Sequence, residues 1–207
     1  MISKLGTKLN PLYTYKSKID SSMTQNVYSS ETYGNRTSPT NTDEIFRKGS
    51  TTYYYSTKLF PAKVRKEVTQ LYNFVRVADD YVDAVPQDTK GFMSFKNEYY
   101  RVLSGEASDN EVITDFVSLS QKRQFKNEWV DAFLNSMEMD TEKSNYKNLE
   151  ELNTYLYGSA EVIGLMMNRV MGLDERADES AQYLGKAMQF INFIRDIDED
   201  LDLKRTY

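Results

Sequence analysis

Four aspartates, in two stretches of the chain, have a spacing that suits metal-ion chemistry. In "LYNFVRVADDYVD", Leu71 to Asp83, the acids Asp79 and Asp83 stand four residues apart. In "QFINFIRDIDED", Gln189 to Asp200, Asp196 and Asp200 repeat that interval. At about 100° per helical residue, Tyr72, Arg76, Asp79 and Asp83 fall within roughly 60° of one face. Gln189, Asn192, Asp196 and Asp200 fall within roughly 80° of another by the same rule, while Asp198 points away. Each stripe therefore sets two carboxylates one turn apart, preceded by side chains that can hydrogen-bond. Such a pair costs about 0.2–0.5 kcal/mol on a bare helix. It costs far more against an apolar surface unless the acids are protonated or paired. A divalent cation offsets both penalties. Two such faces opposed across a cleft would hold more than one Mg²⁺, as binding a diphosphate requires. The plain alternative for either pair is a solvated acidic helix end. Two copies over a hundred residues apart, each on an otherwise apolar helix, favour the metal reading.

Composition narrows the chemistry. The 207 residues include neither Cys nor His. Disulfides, thiolate sites and Cys catalysis are excluded, and a metal must be held by oxygen, which favours Mg²⁺, Mn²⁺ or Ca²⁺. A general base must be Asp, Glu, Lys, Tyr or water. The net charge is −5, and residues 1–42 carry a local positive excess (Lys4, Lys8, Lys16, Lys18 and Arg36 against Asp20 and Glu31), so the body is more acidic still. That argues against nucleic acid as a partner. No apolar run approaches the roughly 20 residues of a membrane span. The N-terminus has no compact apolar signal core, and Asp20 and Glu31 interrupt a weak transit-like pattern.

The elements that must position these acids are helical throughout. Residues 1–42, rich in Ser, Thr, Asn and Tyr without a period, read as a disordered tail. Residues 43–207 form the folded domain. "TNTDEIF" opens a helix with Thr42 or Asp43 as cap. "KGSTTYYYSTKLFP" is a short helix or turn and a loop. From Pro61 to about Val85, Val64, Val68, Leu71, Tyr72, Val75 and Val82 recur at three- and four-residue steps. Helices follow in "TKGFMSFKNEYYRVLSG", "NEVITDFVSLSQKRQF" and "KNEWVDAFLNSMEMDTEK", the last with Trp129, Phe133 and Met137 four apart. "NLEELNTYLYGSAEVIGLMMNRVMGL" is apolar on more than one face and so central. "DESAQYLGKAMQFINFIRDIDEDL" closes an all-α body.

Three of these stretches together resemble the squalene/phytoene synthase family, the head-to-head isoprenoid condensing enzymes. They are "GSTTYYYSTKLFPAKVRKEVTQLYNFVRVADDYVD", "YLYGSAEVIGLMMNRVMG" and "LGKAMQFINFIRDIDEDLDLKRTY", in that order, within residues 46–207. The resemblance implies an isoprenoid-synthase-type helical bundle around a central cavity. Because relatives continue with Leu-Pro and further helices, it also implies a domain truncated on its C-terminal side. It implies Mg²⁺ (or Mn²⁺) on Asp79, Asp83, Asp196 and Asp200, with Asp80 beside the first pair. Arg76 and Arg195 would neutralise diphosphate or orient the acids, and Gln189 and Asn192 would support a second diphosphate. Ser50, Thr52 and Tyr53 would lie in a segment covering a diphosphate. Tyr72 and Tyr155 would face the developing cation. The implied reaction joins two geranylgeranyl diphosphates to phytoene through a cyclopropyl diphosphate. Squalene or dehydrosqualene formation from farnesyl diphosphate is the alternative, with NADPH only for squalene. The implied setting is cytoplasmic, with peripheral membrane association for release of an apolar product.

Plainer roles stand beside these. Tyr72 and Tyr155 suit core aromatics, Arg195 could pair with Glu199, and Met166 and Met167 suit core filling. Gly158 and Gly164 suit close helix packing or room for a prenyl chain. A terpene cyclase would carry a different second motif, which residues 192–200 do not spell. A non-catalytic scaffold would be expected to have lost metal acids, and all four are present.

Overall fold

The computed structural model describes residues 42–143, 145–197 and 201. Residues 1–41, which make up nearly all of the expected tail, and Asp198, Glu199 and Asp200 lie outside them. Helix α1 spans Thr42–Gly49, α2 Thr51–Thr57 and α3 Ala62–Asp83. Next come α4 at Thr89–Leu103, α5 at Glu111–Arg123 and α6 at Asn127–Glu142. Helix α7, Leu149–Leu156, runs through a π-helical turn, Tyr157–Glu161, into α8, Val162–Met171. A 3₁₀ turn, Glu175–Ala177, leads to α9, Asp178–Arg195. No strand forms among the described residues.

Side-chain caps explain where several helices begin. Asp88 accepts from the Gly91 amide at 2.9 Å, Asn110 from Ile113 at 3.3 Å and Asn148 from Glu151 at 2.9 Å. Each satisfies an amide that has no partner within the helix. Left-handed residues end others: Gln124 closes α5 and Gly172 closes α8.

Helix α3 is the centre of the packing, touching α1, α4, α5, α6 and α8. Its apolar stripe of Val68, Leu71, Phe74, Ala78 and Val82 is buried. Phe74 stacks on Phe116 of α5 at 3.7 Å and 6°, and also meets Phe95, Tyr99 and Phe133. One buried stripe therefore fixes the opposite face of α3, the one bearing Tyr72, Arg76 and Asp79, to point out of the core. Glu67 is the exception on the buried side. Lys122 Nζ reaches it at 2.9 Å and Arg123 Nε at 2.6 Å, so the carboxylate is paired.

The central apolar stretch is not one uninterrupted α-helix. It takes a π turn at Tyr157–Glu161, where a Cβ on Gly158 would lie 2.2 Å from the Ala132 carbonyl of α6. Helix α9 packs on α8 and on this turn. Its other side carries an exposed apolar stripe that includes Tyr183, Leu184, Phe190, Ile191 and Ile194. The last helical stretch is also not uninterrupted: Ile197 and Leu201, beyond α9, are helical as well. Between them and α9, Asp196 leaves helical geometry at φ −102° and ψ 15°.

Candidate active site

Helix α3 presents Tyr72, Arg76, Asp79 and Asp83 as a column, with Asp80 at its side. Arg76 spans two of the acids, with Nη2 2.5 Å from Asp80 and Nη1 3.4 Å from Asp79. Burial pushes the Asp79 carboxyl well above the usual carboxylate range. The Asp83 charge pushes the same way, Arg76 opposes, and Asp80 and Asp140 add smaller pushes. Burial also raises Asp80, against Arg76. Asp79, Asp80 and Asp83 all stand near the C-terminal end of α3, whose last turn contains no basic residue. Helix dipole and mutual repulsion thus both act against these charges.

The junction of α1 and α2 lies directly on this column. A Cβ on Gly49 would come 2.5 Å from the Tyr72 hydroxyl and 3.1 Å from Arg76 Cδ. The missing side chain at Gly49 lets this junction lie close against the Tyr72 and Arg76 side chains. Ser50 Oγ accepts from the Tyr53 amide at 3.3 Å, and the Tyr53 phenol is close enough to act on Tyr72. Thr52 is exposed on the first turn of α2. Tyr72 stacks on Phe46 of α1 at 3.9 Å. Burial pushes its hydroxyl up to about 12, with Arg76 opposing and Asp79 and Asp80 reinforcing, so it is a neutral donor.

On α9, Asn192 donates to Gln189 Oε1 at 3.2 Å, and the Asp196 amide donates to the Asn192 carbonyl at 2.8 Å. Arg195 grips Asp196 with both prongs, Nε to Oδ1 at 2.6 Å and Nη2 to Oδ2 at 2.5 Å. This fork geometry is the strong form of the pair. The expected pairing of Arg195 with Glu199 falls on a residue outside the described ones, as does Asp200. Asp196 caps α9 at its C-terminal end, where the segment's dipole opposes its charge and Arg195 compensates.

The two acid-bearing helices are linked through a layer of side chains. Asp140 of α6 and Tyr155 of α7 are both buried, and the Tyr155 hydroxyl donates to Asp140 Oδ2 at 2.9 Å. The Tyr155 ring lies 6.5 Å from that of Phe193 on α9, at 21°. Gln87 Nε2 donates to the Val82 carbonyl at 2.7 Å and to the Asp140 carbonyl at 2.8 Å, tying the end of α3 to α6. Asp140 was not among the residues singled out from the sequence. A signal for it existed: it stands three residues after Met137 on the Trp129–Phe133–Met137 stripe, so an acid was due on a buried face. Met166 is core and Met167 packs against it, and Gly158 and Gly164 serve close backbone approach.

A surface cavity of about 310 Å³, lined by Asp43, Tyr54, Thr57, Lys58, Arg65 and Thr69, contains none of the acid-column residues. Among the described residues no three acids cluster tightly enough to enclose a metal by themselves. The donor set nevertheless fits a cation. Asp79, raised by burial and by Asp83, is relieved by a positive charge, and Mg²⁺ takes one or two carboxylates with phosphate and water completing its shell.

Comparison with known proteins converges on one group. The model of the squalene/phytoene synthase family matches residues 46–207. The 15-cis-phytoene synthase of Paracoccus sp. (strain N81106 / MBIC 01143) is 28% identical over 174 residues, covering 79% of this chain and 57% of that protein. The presqualene diphosphate synthase of Rhodopseudomonas palustris (strain ATCC BAA-98 / CGA009) is 28% identical over 162 residues, 75% of this chain and 57% of that protein. The chain thus spans little more than half the length of these relatives. A crystal structure of a dehydrosqualene synthase in complex with ligand superposes with a TM-score of 0.72 at 24% identity. It covers 80% of this chain and 59% of that one, and it shows a shared all-α fold.

Proposed function

Because the chain belongs to the squalene/phytoene synthase family, we propose that it takes part in the Mg²⁺-dependent head-to-head condensation of two prenyl diphosphates. The favoured substrates are two geranylgeranyl diphosphates, giving phytoene through a cyclopropyl diphosphate. The observation that carries this reading is the placement of Asp79, Asp80 and Asp83 together at the end of one helix, with Arg76 spanning Asp79 and Asp80 as counter-charge.

Each residue of the column has a task in that reading. Asp79 and Asp83, with Asp196 and Asp200, hold Mg²⁺ (Mn²⁺ as substitute). The bound ions would supply charge neutralisation to a departing diphosphate, the largest expected contribution to rate. Arg76 orients Asp79 and Asp80 and offers a charged donor to phosphate oxygens, and Arg195 does the same for Asp196. Tyr72, neutral through the physiological range, donates a hydrogen bond or lends its ring to a cation. Ser50, Thr52 and Tyr53 close over the diphosphate, which the tight Gly49 junction supports. Gln189 and Asn192 bind the second diphosphate. Tyr155 and Phe193 form an apolar wall that keeps water from the allylic cation. One substrate loses diphosphate, the second substrate's double bond attacks the resulting cation, and proton loss closes the cyclopropane. No described helix is long and apolar enough to cross a membrane; peripheral association would serve release of the hydrocarbon.

A second reading is presqualene or squalene-type synthesis from farnesyl diphosphate, with NADPH required only for squalene. The Rhodopseudomonas relative favours it at an identity equal to that of the phytoene synthase. The test is incubation of the full-length protein with labelled geranylgeranyl and farnesyl diphosphates and Mg²⁺, with and without NADPH. Mass identification of a C40 hydrocarbon supports the first reading, and of a C30 product the second. Absence of both, with and without added phospholipid vesicles, overturns the assignment.

A further inference from the structure

We infer that Asp140 is a positioning residue for the diphosphate–metal cleft, acting through its hydrogen bond to Tyr155 and through its negative charge behind Asp79. The inference rests on the function proposed above, because it concerns the same cleft.

The geometry has three parts. First, Asp140 is tied to the end of the first acid column. A single amide nitrogen, Gln87 Nε2, bonds both the Val82 and the Asp140 carbonyls, so these two backbones lie within reach of one NH₂ group. Val82 precedes Asp83 and follows Asp79 by three residues. Second, Asp140 holds the ring next to the other acid-bearing helix. Tyr155 donates to it at 2.9 Å, and the Tyr155 ring faces Phe193, the neighbour of Asn192 and three residues before Asp196. Tyr146 also packs on Tyr155, with ring centroids 5.1 Å apart. Third, the Asp140 charge acts on Asp79. The pair therefore sets the spacing of α3 and α9, which share little direct packing among the described residues, and lowers the potential where cations would bind.

Energetics favour a functional role over a packing one. Asp140 is 5% exposed and Tyr155 3% exposed. A carboxylate so deep is costly even when bonded. A neutral acceptor such as Asn would satisfy the tyrosine hydroxyl at less cost. The charge is what such a neutral acceptor would lack. A metal cluster gains from it, as second-shell carboxylates do when their loss weakens metal binding about 10–100-fold.

The test uses the full chain and a readout other than turnover: Mn²⁺ titration followed by loss of the free-ion EPR signal. Wild type is expected to bind Mn²⁺, and Asp79→Asn to lose binding. Asp140→Asn should bind about 10–100-fold more weakly with an unchanged far-UV spectrum and equal or higher Tm. Asp140→Glu should recover part of the affinity, because it restores the charge. Tyr155→Phe should also weaken binding. The double variant Asp140→Asn/Tyr155→Phe should lose less than the two single losses combined, because the two residues act as one unit. If Asp140→Asn binds Mn²⁺ as tightly as wild type while Asp79→Asn does not, the inference fails and the metal reading stands. If wild type binds no Mn²⁺, both fail. If Asp140→Asn does not fold, the decision passes to Asp140→Glu and Tyr155→Phe: wild-type affinity in both overturns the inference, and weakened binding in folded Tyr155→Phe supports it.

Discussion

Asp79 is the residue at which stability and function pull apart. Its carboxyl is raised by burial and by Asp83, at the end of a helix whose dipole opposes it. A folded-state pKa above the unfolded value means that ionisation at neutral pH destabilises the metal-free fold. Asp79→Asn should therefore raise the Tm of the metal-free protein while abolishing Mn²⁺ binding. Discounted for its partial exposure, the gain is about 1 kcal/mol, or about 2–4 °C. Differential scanning calorimetry with and without Mn²⁺ checks it; a lower metal-free Tm in the variant would remove the argument. Glu67 is the opposite case. Burial would raise it, but hydrogen bonds from Lys122 and Arg123 win and hold its carboxyl below the usual range. This pair stabilises the fold at neutral pH, and the contribution is lost as pH falls below the normal Glu pKa through the lowered one. Glu67→Gln should be clearly less stable than wild type at pH 7, with the gap closing below about pH 4. The column Tyr72–Arg76–Asp79–Asp83 was legible because it follows helical spacing within one segment. Asp140 was not, because its meaning depends on Tyr155 and Gln87, which are distant in sequence and joined only by folding.

Among the elements, the α8–α9 contact is the one that brings the second acid stripe to the rest of the molecule. It is made backbone against side-chain-free backbone. A Cβ on Gly164 would fall 2.2 Å from the Ala181 carbonyl of α9, and one on Gly185 would fall 2.4 Å from the Ala160 carbonyl of the π turn. Neither carbonyl can rotate away as a flexible side chain would. Gly164→Ala and Gly185→Ala should each cost about 1–3 kcal/mol by forcing the helices apart, even though Ala is the better helix former. Urea titration measures the loss, and a gain in stability from either change would show that the helices can separate freely. The same contact explains what periodicity missed. Spacing located the helical segments of the body, and the cap residues Asp88, Asn110 and Asn148 agree with the starts it indicates. It did not indicate the π turn, because that turn answers to Ala132 and Gly185 in space, where local propensity has no say. Nor did it indicate the break at Asp196, where Arg195 holds the carboxylate in a bidentate grip that helical spacing does not encode.

At the scale of the whole folded unit, the apolar surface is unevenly distributed. The core around α3 is closed, with Phe74, Phe92, Phe116 and Phe133 all buried. Helix α9 is different: Ile191 is 56% and Ile194 73% exposed on a stripe that runs its length. Loss of a core ring and loss of a stripe residue should therefore have opposite consequences. Phe74→Ala empties a site contacted by four rings and should cost about 3–5 kcal/mol. Replacing Ile191 and Ile194 by Lys removes no packing, adds cations where the helix dipole favours them, and should leave stability within about 0.5 kcal/mol of wild type. The same double change should reduce the binding of an apolar dye such as ANS at native pH, because an exposed patch of this kind is what the dye reports. Dye fluorescence at equal protein concentration, paired with a urea titration, reads both quantities on one sample. A large stability loss in the Lys variant would mean that the stripe is covered within this chain, and unchanged dye binding would mean that the apolar surface seen by the dye lies elsewhere. With both expected outcomes, the second acid stripe stands on a helix held by one face only, and the Tyr155–Phe193 contact is then a main restraint on how far that helix can swing from α3.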